Sequence, residues 1–425
     1  MNVRIAKLKI FIVAGTRPEF IKVYPVYKEF IERSKTDSSP GTQVKHELEV
    51  KWIASGQHQE LLTDLYAFFQ IKPDYEFDLS NIDDNTETHL SKFAAKILEE
   101  ASMLYDREKP DLVIVQGDTL TAQQCALAAF YQKIEIAHIE AGIRTNDISS
   151  PFPEELARRI ISQISTLNFA PSQTALTNLE AEKVMNKKNS FNFYTGNTVV
   201  DTLEYTRKII TDKNFNWGEF RFARLAFYPD LEYDMIMTLE KIKHKRIILV
   251  TAHRRENEGE AHEHLAAAIL RIAERYAETD SVEFIVSVHK NPQARIAFEK
   301  LQKQLEERSL TNVRFLDAIN YPLFLRIMMQ SYFIVTDSGG VQEEAPYFGK
   351  PVLVFRNLTE RVEGIEHGMA RLIGTEEHVI HGAMLELLTD PSAYNSMIVE
   401  GMQPYGDGLA ASRIADVSLL YLKGH

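Results

Sequence analysis

Asp118 in "QGDT" and Glu140 in "HIEAG" each stand directly after a short β-branched run, in "DLVIVQGD" and "IEIAHIEAG". Two carboxylates held near one another repel, which raises one pKa and suits the pair to general acid–base work. Asp before Thr is equally the usual helix N-cap or turn former, so the pair also reads as structural. Glu154 and Glu155 follow Pro153, where ordinary complementation of a helix N-terminus accounts for both. "TAHRREN" sets His253, two arginines and a glutamate after a third such run. An imidazole titrates near neutrality and an arginine clamps phosphate, while a surface ion-pair cluster is the competing reading. His289 in "VHKNP" carries the same two readings. The pairs His262/His264 and His378/His381 lack other ligands nearby in sequence, so no metal site is expected.

"TDSGGVQEEAP", residues 336–346, follows the apolar run "YFIV" and precedes "KPVLVF". A strand, the turn Ser338–Gly339–Gly340 and a helix start bring free backbone N–H groups and the positive end of a helix dipole together, a seat for phosphate. With Val341, Ala345 and Phe348 on the buried face, Glu344 borders that face and Glu343 turns away. A carboxylate pointing into a cleft needs donors, which the vicinal hydroxyls of a ribose supply. Amides would then hold a diphosphate and Glu344 its sugar. Two glutamates simply complementing the helix N-terminus is the alternative, and the readings stand level. In "AGTRPEF", Pro18 suits a helix start, and Arg17 either reaches toward a ligand or is a solvated arginine. One glycine there, and no G-x-G-x-x-G, disfavours an NAD-dependent sugar epimerase.

Short β-branched runs alternate with helix-period segments along most of the chain. "LKIFIVAG", "LEVKWIAS", "DLVIVQGD" and "IEIAHIEAG" predict strands, with helices over Glu19–Arg33, Asn85–Asp106 and Leu120–Gln132. A second series runs through "RIILVTAH", "VEFIVSVH", "NVRFLD", "YFIVTDSGG" and "PVLVF". The alternation implies βαβ units, parallel sheets and two α/β halves. In such sheets ligands sit beyond the carboxyl ends of the strands, where Arg17, Asp118, Glu140, His253 and the Ser338 turn all fall, so a cleft between the halves is expected. Between the halves, residues 212–234 are rich in aromatics and lack a clear period. The terminal "AASRIADVSLLYLK" predicts an amphipathic helix with Ile414, Val417, Leu420 and Leu422 on its apolar side.

At 425 residues two domains are the natural division. With 44% hydrophobic and 25% charged residues the chain is of the soluble globular class. Sixty acidic against forty-eight basic residues give a net charge of −12, which disfavours nucleic-acid and anionic-membrane partners. One cysteine, Cys125, fits a reducing cytosol. "MNVRIAKLKIFIVAG" has the look of a signal peptide but is short and leads into "TRPEF", so it reads as a first strand. No apolar stretch approaches the roughly 18 residues of a membrane span. A cytoplasmic protein without membrane insertion is expected.

Taken in order, "GTRPEFIK", "GDT", "HIEAGIRT", "SPFPEE", "GNTVVDTL", "HRREN", "HKNP" and "DSGGVQEEAP…GKPVLVFRNLTER" resemble the non-hydrolysing UDP-N-acetylglucosamine 2-epimerases. The resemblance spans about Lys9 to Thr375. It implies two Rossmann-like domains of the GT-B glycosyltransferase type. The sugar-side domain would cover residues 1–205, a linker or insertion 206–245, and the UDP-binding domain 246–407. A helix in 408–425 would pack back on the first domain. It implies, further, a homodimer that needs neither metal nor NAD and interconverts UDP-GlcNAc and UDP-ManNAc through a 2-acetamidoglucal, in supply of cell-surface polysaccharide precursors.

Matched residue by residue, the resemblance makes Asp118, Glu140, Glu154 and His253 catalytic. Arg17 and Lys22 would lie near sugar and diphosphate, Ser338, Gly339 and Gly340 in the phosphate turn, and Glu344 on the ribose. Arg361 would contact the diphosphate, Phe324 the uracil, and His289 the substrate site. Gln57 and His58 match a stretch where relatives bind a second, activating UDP-GlcNAc. The chain departs at Ala252, where glycine is usual, at Val362, where proline follows "TER", and in extra length at 34–45 and 211–245. Another UDP-sugar substrate (UDP-GalNAc, a diacetamido or a uronic sugar), a hydrolysing epimerase, a GT-B glycosyltransferase and an idle nucleotide-sugar sensor are the alternatives.

Overall fold

The computed structural model describes residues 4–36, 44–56, 59–79, 88–182, 190–212, 215, 229–252, 259–288, 292–316, 319–399 and 403–424. Gln57, His58, His253 and His289 lie outside these residues, as does much of the extra length at 34–45 and 211–245. The chain divides into two units, one of residues 1–204 with 405–425, the other of residues 205–404.

In the first unit seven strands, β1 (Arg4–Ala14), β2 (Val44–Ala54), β3 (Tyr75–Glu76), β4 (Leu112–Gln116), β5 (Glu135–Ile139), β6 (Leu167–Ala170) and β7 (Phe191–Tyr194), form one sheet in the order β3-β2-β1-β4-β5-β6-β7. Every pairing is parallel. Helices crossing both faces bury such strands on both sides, which is why "LVIVQ" is apolar almost throughout rather than alternating. The order reverses between β1 and β4, so the turns leaving those two strands face one crevice.

The second unit repeats the plan with β8 (Arg246–Ala252), β9 (Val282–Val288), β10 (Val313–Leu316), β11 (Ser331–Thr336), β12 (Val352–Val354) and β13 (Ala370–Leu372), ordered β10-β9-β8-β11-β12-β13. All are again parallel, and the reversal lies between β8 and β11. The expected α/β class with two Rossmann-like sheets is what the chain adopts.

Two helices differ from the sequence pattern. Pro229–Ile242 is helical although its first turns belong to the aromatic stretch without a period. Its buried stripe is Met235, Leu239 and Ile242, so a stretch ending at Asp234 stops just short of the signal. The helix Ala410–Gly424 buries Ala411, Ile414, Ala415 and Ser418, whereas Leu420 is 77% exposed. Ile414, of the expected side, is fully buried, and the small Ala411, Ala415 and Ser418 complete the seam. Asp201 accepts from Ala411 N at 2.9 Å, and Arg413 donates to Thr195 O at 3.0 Å.

Candidate functional site

Asp118 and Glu140 come together because β4 and β5 pair. Gln116 is in register with Ile139, and Gly117 N donates to Ile139 O at 2.9 Å. Glu140 takes a left-handed backbone, φ +66°, at the strand's exit, an uncommon place for a residue with a side chain. Its carboxylate meets Lys22 Nζ at 2.7 Å, both side chains under a tenth exposed, and the Gln116 amide donates to the same oxygen. A buried pair of this kind gains little net stability after desolvation. What it does is fix where the carboxylate points.

Lys22 rides on the helix Arg17–Thr36, which also carries half-buried Arg17 at its first position. Glu19, fully buried, accepts from Thr16 N at 2.7 Å and Gly15 N at 3.1 Å. Gly15 is required there, since a Cβ would come within 2.1 Å of Ser55 Oγ and 2.5 Å of Thr121 Oγ1.

Asp118 Oδ2 meets Arg158 Nη2 at 2.5 Å, with Arg158 almost fully buried. Arg158 sits on the helix Glu154–Ile164, one turn after Glu155. Glu155 does more than complement that helix's N-terminus. It is wholly buried, lies 3.5 Å from Arg158 Nη1 and 2.8 Å from Arg159 Nε, and accepts from Thr145 N at 3.0 Å and Asn146 N at 3.3 Å. It thereby ties the loop after Glu140 to the arginine that holds Asp118. Glu154, half-buried, opens the helix. His138 Nε2 lies 2.7 Å from Gly117 O, just before Asp118.

In the second unit Thr336 ends β11, and its hydroxyl accepts from Ser338 N at 3.0 Å while lying 2.6 Å from Thr251 Oγ1 of β8. Ser338 N-caps the short helix Gly339–Glu344 without a side-chain cap bond, which leaves its hydroxyl outside the capping role. Gly339 is buried and Gly340 exposed. A Cβ on Gly339 would sit 3.2 Å from Arg361 Cζ, so the guanidinium lies over the glycine turn. Glu343 holds it there, accepting from Arg361 Nε at 2.9 Å. Glu343 therefore does not turn away from the interior; it is 2% exposed, because the segment bearing Arg361 returns over that side of the helix. Burial pushes the Glu360 carboxyl up, but the cations of Arg356 and Arg361 outweigh it and hold it at about 2. Glu344 accepts from the Tyr321 hydroxyl at 3.1 Å, and Phe324, also on the helix Tyr321–Gln330, is buried.

Among the described residues no group of three or more His, Cys, Asp or Glu could hold a metal ion, and no helix is long and apolar enough to cross a membrane. The partners Glu19, Glu155, Arg158 and Glu343 were not singled out by sequence. Only Glu19 carried a signal, the T-x-x-E spacing of a helix capping box in "TRPE".

These arrangements have close relatives. The family profile described as UDP-N-acetylglucosamine 2-epimerase matches residues 42–419. UDP-N-acetylglucosamine 2-epimerase of Bacillus subtilis is 38% identical over 98% of this chain and 96% of its own. The crystal structure of UDP-GlcNAc 2-epimerase from Neisseria meningitidis bound to UDP-GlcNAc is similar with a TM-score of 0.81 at 34% identity, covering 97% of this chain and 100% of that one. The S. aureus MnaA–UDP co-structure gives 0.79 at 35% identity, covering 98% and 97%. With profile, sequence and fold agreeing over nearly the full length, the chain belongs to the UDP-N-acetylglucosamine 2-epimerase family.

Proposed function

We propose that the chain interconverts UDP-GlcNAc and UDP-ManNAc by anti-elimination of UDP and its re-addition, releasing no free sugar. The observation that carries this reading is the pair of strand-end acids, Glu140 fastened by Lys22 and Gln116, and Asp118 by Arg158. The relatives named for this epimerase, one of them bound to UDP-GlcNAc, support the substrate.

The C2 hydrogen of the sugar has no ring carbonyl beside it, so its removal must be coupled to loss of UDP. As a base takes the proton, the C2–H electrons form the C1–C2 double bond. The C1–O pair leaves with the β-phosphate oxygen of UDP, giving a 2-acetamidoglucal. Re-addition reverses these steps with the proton delivered to the opposite face. Two faces require two proton-handling positions, for which Asp118, Glu140, Glu154 and His253 are the candidates. Leaving phosphate needs donors and positive charge. The Ser338–Gly339–Gly340 turn, Arg361, Arg17 and Lys22 supply them in this reading. Glu344 takes the ribose, Phe324 the uracil, and His289 joins the substrate site. We assign Gln57 and His58 to a second, activating nucleotide-sugar, and the enzyme to a cytoplasmic homodimer supplying polysaccharide precursors.

Incubation with UDP-GlcNAc in heavy water tests this. Deuterium at C2 with UDP-ManNAc appearing is the expected result. Free ManNAc, or a sugar nucleotide left inert at C2, defeats the proposal.

A further inference from the structure

Glu19 takes no part in the roles assigned above, yet it is among the most enclosed carboxylates of the first unit, 1% exposed. Its position as the third helical residue after Thr16 explains part of its bonding. Thr16 Oγ1 accepts from Glu19 N at 3.4 Å while Glu19 Oε2 accepts from Thr16 N at 2.7 Å, a reciprocal capping box. Such a box is complete with one carboxylate oxygen. The second oxygen, Oε1, accepts from the Thr119 hydroxyl at 2.6 Å, one hundred residues further along the chain.

Thr119 is itself committed on its other side. Its oxygen accepts from Ala122 N at 3.0 Å and so caps the helix Leu120–Tyr131. One hydroxyl proton goes to Glu19 and one lone pair to Ala122, which leaves the side chain a single orientation. The residue before Thr119 is Asp118; the residues before Glu19 are the turn that starts the helix bearing Arg17 and Lys22. β1 and β4 are neighbours at the reversal of the sheet order, and Glu19 ties the turn leaving one to the turn leaving the other.

We infer that Glu19 and Thr119 are positioning residues for the reaction, a clasp that holds the Asp118 turn and the Arg17–Lys22 helix in one fixed relation. The clasp touches no substrate. It sets where Asp118 stands relative to the Lys22–Glu140 pair, and misplacement by a fraction of an ångström is felt in the proton-transfer step rather than in nucleotide binding. The inference rests on the epimerase reading for its kinetic arm only.

Thr119→Val removes the bridging hydroxyl while keeping shape, and Thr119→Ser keeps the hydroxyl. In C2 exchange with UDP-GlcNAc, Thr119→Val should lower kcat ~10- to 100-fold with KM and UDP affinity within about twofold, and Thr119→Ser should recover most of the loss. Loss of the helix cap alone predicts that Thr119→Val costs the same in a Glu19→Ala background; the clasp predicts that its effect there largely disappears. Equal costs in both backgrounds overturn the inference, as does wild-type kcat in Thr119→Val. Should Glu19→Ala not fold, Glu19→Met, which keeps the side chain's length and removes both acceptors while leaving the Thr119 cap on Ala122, takes its place in the cycle. Should the wild type leave UDP-GlcNAc inert, the epimerase reading fails by itself. A crystal structure of Glu19→Met, in which the Thr119 cap is kept, then decides the clasp: Asp118 displaced from Arg158 upholds it, and an unmoved ion pair sinks it.

Discussion

Arg361 lies across the glycine turn at Ser338–Gly340 because Glu343 accepts from its Nε at 2.9 Å. A cation set over the backbone of a glycine turn, and itself oriented from behind by a carboxylate, has the make-up that an anion seat needs. Of the two acids in "DSGGVQEE", Glu343 is the one that departs from the sequence reading, being buried rather than turned away. Glu343 aims the cation, and Glu344 faces Tyr321.

Gly339→Ala should weaken UDP binding. The added methyl would stand 3.2 Å from Arg361 Cζ, tighter than ordinary contact, and shift the guanidinium by a few tenths of an ångström from its bonding position. Loss of a charge-assisted hydrogen bond of roughly 1.5–3 kcal/mol corresponds to about tenfold or more in Kd. Isothermal titration with UDP measures it, and unchanged affinity would show that Arg361 is not part of the seat.

Lys22→Met should cost both stability and turnover. It leaves Glu140 buried beside Gln116 with its cation gone, a defect of about 3–5 kcal/mol. The double variant Lys22→Met/Glu140→Gln should unfold at a higher denaturant concentration than Lys22→Met alone, since no uncompensated charge remains. Equal midpoints for the two would mean that the ion pair does not matter for folding.

Asp118→Asn should slow C2 exchange by about 100-fold or more while UDP affinity stays near wild type. The substitution preserves shape at a position held by Arg158 and removes only the proton-accepting charge. Wild-type exchange in this variant takes Asp118 out of the mechanism.

The burial of Glu19 also predicts a pH dependence of stability. Burial pushes the Glu19 carboxyl up to about 7, against an ordinary value of 4.5, despite hydrogen bonds from Thr119, Thr16 and Gly15 that favour the charged form. The folded state therefore binds the proton more tightly than the unfolded chain. Its contribution is fully present below pH 4.5 and is lost as pH rises through about 7, roughly 3 kcal/mol in all. The ionisable groups that sense Glu19, Tyr66 and Cys125, are kept protonated by burial and do not titrate in that window. Chemical denaturation of Glu19→Gln across pH 4.5–7 should show this slope removed. A slope equal to that of the wild type would assign the proton to another group.

Much of this was legible because parallel strands buried on both faces must be written as continuous apolar runs, and polar residues at their carboxyl ends then stand out. Asp118, Glu140 and the Ser338 turn were found in that way. Which cation meets which acid was not legible: Lys22 and Glu140 are 118 residues apart, and nothing local records their meeting. Glu155 was given the ordinary account of an acid near a helix start and Glu343 was turned away from the buried face, since burial, not spacing, distinguishes them. The terminal helix misled in a different way. Its large residues suggested the buried side, and Ile414 is buried as expected, but Ala411 and Ala415 share the seam and Leu420 stays in solvent.

The first unit is completed by residues 405–424, so all of residues 205–404 must leave the ribosome before its last helix can dock. Until then the nascent chain carries an uncovered seam where Ala411, Ile414 and Ala415 will lie, and Asp201 waits for the amide of Ala411. The second unit, by contrast, is one continuous stretch, residues 205–404. During synthesis the half of the protein translated earliest is therefore the half that cannot be completed until the chain's last helix emerges.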